Sequence, residues 1–262
     1  MALNLSELIL DKVRSITTHD LATGEMLFRL TSLEEPNLSC TAEGEEVTDA
    51  LGALITTLYR AKKATFSATN SLISLDLAAA QYGTKKEIAS TDSKILDYTY
   101  EIIEVATGET SKTLAHTPKN ATDVKYIYAI TDGGIGTAYR AGSAASATEF
   151  VISETGEITV PTGFTGKLYV EYTYENENAL RVVNKASNFP EACSAVIYAY
   201  FKDKCNENIV YSGKIICKKA KLNPEQVELA LTSTGKHAFE LKMMQDYCSE
   251  GEDELFSIIV SN

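Results

Sequence analysis

The chain has no tryptophan, three histidines and five prolines in 262 residues. So few imidazoles leave few metal ligands and few groups that titrate near neutral pH. His19, His116 and His237 each stand apart from any cysteine or carboxylate pair at ligand spacing, so no catalytic or metal role is expected of them. No Cys-x-x-Cys occurs. The five cysteines, Cys40, Cys193, Cys205, Cys217 and Cys248, are odd in number and cannot all pair within one chain. The even steps from Cys193 to Cys205 to Cys217 match no zinc pattern, because structural zinc sites bring ligands in closely spaced pairs. Buried, small apolar thiols in a reducing compartment are the expectation. The apolar stretches, such as 51–59, fall short of the roughly 20 residues that a spanning helix needs. Residues 1–8 place no positive charge ahead of an apolar segment, which argues against a secretory signal.

What is abundant is acid. Thirty-six Asp and Glu against 24 Lys and Arg give a net charge of −12. Tight binding to nucleic acid draws on Lys and Arg that neutralise phosphates, and this balance argues against it. Glu43, Glu45, Glu46 and Asp49 form one acidic group; Glu250, Glu252, Asp253 and Glu254 form another. Neither follows the ligand order of a calcium loop, so each reads as a solvated face or a negative surface. Gly133, Gly134 and Gly136 invite a phosphate-loop reading, but residues 139–147 are no amphipathic helix, and a β-turn is the better assignment. No Gly-x-Ser-x-Gly elbow is present.

Periodicity points to a mainly β chain. Residues 25–33 alternate, with Met26, Phe28 and Leu30 on one face. Thr48 as a cap and Leu51, Leu54, Ile55 and Leu58 at spacings of three and four predict a helix over 48–61. A strand over 65–76 follows, then a short helix over 76–83 capped by Asp76 and stopped by Gly83. From residue 88 onward short alternating segments recur, the clearest at 98–105, 123–131, 168–174, 192–202, 209–218 and 238–245. Such strands predict a sandwich or barrel. Residues 118–178 are either an inserted β module or part of one large sheet, and 141–148 read as a surface loop. Fourteen Tyr against eight Phe suit strands half buried against a partner. Leu5, Leu8, Ile9, Lys12 and Val13 suggest an amphipathic amino-terminal arm.

The order of these pieces carries a resemblance. Asp20-Leu-Ala-Thr-Gly-Glu25 leads into a strand. Leu51-Gly-Ala-Leu-Ile55, Tyr59-Arg-Ala-Lys-Lys-Ala-Thr65, Thr69-Asn-Ser-Leu-Ile73 and Leu77-Ala-Ala-Ala-Gln-Tyr-Gly83 follow. Ala220-Lys-Leu-Asn-Pro224, Leu231-Thr-Ser-Thr-Gly-Lys-His-Ala-Phe239, Asp246-Tyr-Cys248 and Leu255-Phe-Ser-Ile-Ile259 close the series. This succession resembles the major tail tube proteins of bacteriophages. The resemblance implies a β-sandwich or small-barrel tail-tube core with one or two short helices and a β insertion. Its parts would be 1–117 and 179–262 for the core and 118–178 for an inserted module outside the tube. It implies a non-enzymatic virion subunit that polymerises into stacked, hexameric rings and forms the conduit for DNA ejection. Residues 41–69 would hold the stacking loop, with Glu43, Glu45, Glu46, Asp49, Leu51, Leu54, Ile55, Leu58 and Tyr59 as inter-ring candidates. Leu5, Leu8, Ile9, Leu255, Phe256 and Ile258 would serve as inter-subunit arms. Implied partners are further copies of the chain and other tail proteins such as the tape measure, sheath or terminator. DNA would pass without tight binding, and neither cofactor, metal nor membrane is involved. The place of action would be the virion tail, assembled in the host cytoplasm. A head-decoration or other virion β-domain bound to a preformed capsid or tail surface is the rival reading.

Overall fold

A computed structural model describes residues 7–131, 134–206, 208–225, 227–232, 235–247 and 253–261. Leu5, Gly133, Cys248, Glu250 and Glu252 lie outside them. Strands take up 58% of the described residues and helix 4%. The chain forms two compact units, Met1–Lys86 with Val182–Asn262, and Glu87–Arg181. The segment 118–178 lies wholly within the second unit, which also holds residues 87–117 and 179–181.

The first unit opens with β1 (Leu8–Asp20), β2 (Met26–Leu30), β3 (Leu33–Thr48), β4 (Leu54–Asn70) and the one α-helix among the described residues, α1 (Leu75–Gln81). The second unit holds β5 (Glu87–Ile88), β6 (Ile95–Val105), β7 (Ser111–Thr113), β8 (Tyr126–Thr131), β9 (Gly134–Ala141), β10 (Glu149–Ile152), β11 (Glu157–Thr159), β12 (Gly166–Asn176) and β13 (Leu180–Arg181). The chain then returns to the first unit as β14 (Ala192–Asp203), β15 (Val210–Leu222), β16 (Glu228–Ala230), β17 (Lys236–Met243) and β18 (Ser257–Ser261).

The first unit's sheet runs β2-β1-β14-β15-β17-β4-β3, with β16 added on β17 and β18 on β15. It curls into a nearly closed barrel. Period-two patterning explains its core. Cys193, Ala195, Ile197 and Ala199 on β14, Ala64, Phe66 and Ala68 on β4, and Phe239, Leu241 and Met243 on β17 all turn inward. The Phe239 ring meets Phe28 edge-on at 6.1 Å between centroids and Phe66 at 6.2 Å. Burial pushes the Cys193 thiol up to about 12 and Cys217 to about 11, so both stay protonated and behave as apolar side chains. Cys40 and Cys205 depart from the expectation: they are exposed.

α1 seals this core with Leu77, Ala78 and Ala79. Its cap is Ser74, whose Oγ accepts the Leu77 N–H at 3.2 Å, and not Asp76. Asp76 sits in the first turn and pairs with Lys86 at 2.5 Å. Gly83 has φ +62°, and a Cβ there would lie 2.2 Å from the Phe189 carbonyl oxygen, so only glycine fits.

The second unit's sheet runs β6-β12-β8-β9-β10-β11-β7 and closes over Ile127, Phe150, Ile158, Leu168 and Val170. β5 and β13 pair where the chain enters and leaves it. The Glu101 carboxylate accepts the Ala115 N–H at 2.9 Å and the hydroxyl of buried Tyr172, which in turn accepts the His116 N–H at 3.2 Å. That chain of bonds ties the 114–116 segment to β6 and β12.

The helix expected over 48–61 is absent. Residues 49–53 turn, and β4 begins at Leu54. β3 and β4 form one antiparallel ladder from Leu33 opposite Asn70 to Thr48 opposite Leu54. Sixteen and seventeen residues of strand pairing, with β-branched Val47, Thr56 and Thr57 among them, outweigh a local 3.6-residue period.

His237 is fully buried between β17 and α1. Its Nε2 lies 2.6 Å from Gln81 Oε1, and its Nδ1 accepts the Ser74 N–H at 3.4 Å. Desolvation, opposed by the Ser74 bond, holds its pKa below the ordinary histidine value. An unfolded chain therefore takes up this proton first as pH falls. Stability is expected to be full above about pH 6.5 and to drop toward pH 5, by at most about 1.4 kcal/mol per pH unit. Thermal melts of the wild type and His237→Gln between pH 7.5 and 5 check this. The variant, although less stable, should lose the slope in that window; an unchanged slope would rule out His237 as its source.

Candidate assembly surfaces

The β3–β4 ladder changes character along its length. From residue 64 to 70, β4 alternates buried with half-buried residues and belongs to the barrel. From 40 to 48 on β3 and from 54 to 59 on β4, both faces are exposed except for half-buried Thr57. The upper half is thus a two-stranded arm with no core of its own.

Local chemistry shapes this arm. At its tip Asp49 Oδ1 accepts the N–H groups of Leu51 at 2.9 Å and Ala53 at 2.7 Å. The Gly52 N–H bonds to the Asp49 carbonyl at 3.0 Å, and Gly52 adopts φ +82°. Asp49 is therefore spent on the turn. Tyr59 lies across the strand from Gly44, and a Cβ on Gly44 would come within 3.3 Å of the ring. The missing side chain leaves the space the ring covers. Lys63 pairs with Glu43, which holds that carboxyl below its usual range.

The inter-ring candidates converge on this arm. Leu51 at the tip is 94% exposed, Tyr59 74% and Ile55 64%, with Leu54 and Leu58 also exposed. Cross-strand register places Glu45 with Leu58 and Val47 with Thr56, and Glu46 with Thr57. Apolar side chains therefore stand on both faces, alternating with acids. The arm candidates are less uniform. Ile9 and Ile258 are exposed, Leu8 is half buried, and Leu255 and Phe256 pack partly buried against the first unit's core.

Two tyrosine groups are a finding beyond the candidates. On β14, Tyr200 lies between Lys12, whose Nζ is 5.9 Å from the ring centroid, and Arg14, which donates to its hydroxyl at 2.9 Å. In the second unit Tyr98 and Tyr169 donate to Glu171 at 2.7 and 2.5 Å, and Tyr100 stacks on Tyr169 at 5.3 Å. Glu171 pushes the Tyr169 hydroxyl up to about 12. The first group lies on β14, within the alternating segment expected over 192–202. The second needed the β6–β12 register. Among the described residues no three His, Cys, Asp or Glu side chains gather as a metal cluster. Among the same residues no helix is long and apolar enough to cross a membrane.

Because Asp49 serves the turn, Asp49→Ala is expected to loosen the tip without touching the barrel. Two lost hydrogen bonds correspond to about 1–2 kcal/mol of local opening, so amide exchange at Leu51 and Ala53 should speed up by roughly tenfold or more. Hydrogen exchange read alongside a thermal melt checks it. Unchanged exchange at both amides would show that the side chain does not hold the turn.

The described residues form a β-protein with a projecting two-stranded arm. No curated protein matches the chain. A profile of the YomU/Tube protein family, which is a phage-derived family of tube proteins, matches residues 8–258, nearly the whole length. In line with the tail-tube resemblance of its sequence, the chain belongs to the YomU/Tube protein family.

Proposed function

We propose that this protein is the structural subunit of a phage tail tube, polymerising into stacked hexameric rings that form the conduit for DNA delivery. One observation carries the reading beyond the family: the β3–β4 arm. An isolated two-stranded hairpin is marginally stable in water. This one exposes Val47, Leu51, Leu54, Ile55, Leu58 and Tyr59 beyond the edge of the core. Fully burying a side chain of this size contributes about 1.5–3 kcal/mol. Six of them buried on a neighbour would contribute on the order of 10 kcal/mol before the costs of association. An arm of that composition suits a neighbouring subunit better than water.

In this reading the arm, with Glu43, Glu45 and Glu46 between its apolar residues, reaches the adjacent ring. The strand segment at Leu8 and Ile9 and the carboxy-terminal Ile258 meet neighbours within a ring. Residues 118–178 are an insertion in the tube core. The subunit is assembled in the host cytoplasm, works in the virion tail without catalysis, and meets the tape measure, sheath or terminator at the tube's surfaces and ends. DNA passes through without being held.

Electron microscopy and sedimentation of the purified protein test this. The wild type is expected to form rings or tubes at high concentration. Replacing residues 42–62 by a short turn should leave the melting temperature within a few degrees, since the exposed arm adds little to the core. It should abolish stacking. A shortened chain that still forms tubes would remove the arm from the inter-ring contact, and a wild type that stays monomeric with a tail-tip initiator present would sink the tube reading itself.

A further inference from the structure

The net charge of −12 conceals a segregation on the first unit's sheet. β2, β1, β14 and β15 carry cations that reach solvent: Lys12, Arg14 and Arg29 are exposed, and Lys214 and Lys221 half buried. Arg29 lies across from Thr17, Tyr198 across from both Ser15 and Lys214, and Lys221 across from Lys242. Lys12 and Arg14 flank the Tyr200 ring. Lys12, Arg14, Arg29, Lys214 and Lys221 form no ion pair with any described carboxylate. The other end of the sheet is acidic. Glu35, Glu225, Glu228 and Glu240 line a groove of about 570 Å³ floored by Ser67 and Thr69, with no Lys or Arg in its lining. Glu225 pairs with Lys242 at 3.2 Å and Glu240 accepts from Asn223 at 3.1 Å, while β3 as a whole has five glutamates and no cation.

We propose that the basic face of β1, β14 and β15 in one copy seats against the glutamate groove of β3, β16 and β17 in the next, giving a head-to-tail contact. This rests on the self-assembly reading and names the two surfaces that meet. Subunits of charge −12 repel one another unless opposite patches are matched. Two different surfaces that complement each other make a heterologous contact, the kind that closes into rings when its rotation allows. The basic patch also has a built form. Tyr200 is held by Arg14, so the cations beside it are already placed before a partner arrives, which lowers the cost of association.

The test is a charge swap in the full-length protein, read by sedimentation at low salt and at about 0.5 M, where surface attraction is screened. Lys214→Glu with Lys221→Glu is expected to raise the concentration needed for assembly by roughly tenfold or more, as is Glu35→Lys with Glu228→Lys. Because the core is untouched, each should melt like the wild type. A chain carrying all four changes restores opposite signs across the contact and should assemble again. Wild-type assembly should weaken as salt rises. If wild type assembles and the well-folded lysine variant assembles equally well, or if the fourfold variant fails to recover, this contact is wrong while the tube reading stands. If wild type does not assemble at any salt, both fall. Fluorescence anisotropy with a DNA duplex supplies the remaining arm. Monomer that binds the duplex at 0.15 M salt, on the order of a cell's ionic strength, and loses it in the lysine variant would assign the face to nucleic acid and overturn the proposal.

Discussion

The structure depends on one backbone constraint: a two-stranded ladder cannot bury both faces by itself. β3 and β4 are paired through sixteen and seventeen residues, yet only the lower half of β4 faces a core. From residue 64 to 70 β4 is a wall of the barrel, and Phe66 locks it to Phe239. Toward the tip of the arm hydrogen bonding continues where packing has stopped. Pairing alone leaves apolar residues in water on both faces, a condition that neighbouring subunits relieve and a monomer does not. Ring closure and stacking, in the proposed tube, supply the layer that the single chain lacks.

How much of this was legible in the sequence follows from that same constraint. Segments whose two faces differ were read well. β14, with Cys193, Ala195 and Ile197 against Ser194, Val196 and Tyr198, shows the alternation of a half-buried strand. The arm was misread for a physical reason. With both faces exposed it has no reason to alternate, and Leu51, Leu54, Ile55 and Leu58 fall at helical spacing by composition alone. His237 offered no sequence signal either. Its partners Gln81 and Ser74 lie more than 150 residues away in the chain, and only the packing of α1 on β17 brings them together. Order and resemblance name candidates for an assembly surface; the strand conformation of 54–61 is not legible from them.

Charge shows a similar division between sum and arrangement. Residues 87–181 hold 14 acids against seven bases, so the second unit carries more than half of the net −12. The first unit is nearer balance and sorts its charges by face. A total bears on solubility and repulsion between copies; the arrangement decides which surfaces can approach. The acidic sum therefore excludes a generally phosphate-seeking protein and still leaves room for a basic platform built on Lys12, Arg14 and Tyr200.

The root of the arm holds strained backbone. Among the described residues two that are not glycine adopt positive φ, Glu35 at +50° and Ala61 at +43°. Each costs about 1–2 kcal/mol for an L-residue, and each sits where the ladder slips register, between Glu34 and Asn37 on β3 and opposite the step from Ala42 to Glu43. Bulges bend and twist a strand pair. Pro36, with no N–H to give, fits the same irregular stretch of an edge strand. Strain of this kind persists only where the surrounding pairing over-determines it, and the long ladder does so from both sides of each slip. The direction in which the arm leaves the barrel is therefore written into the backbone before any neighbour binds. An arm aimed in advance loses less freedom on docking than a floppy loop of the same length, so more of its apolar burial is left to hold subunits together.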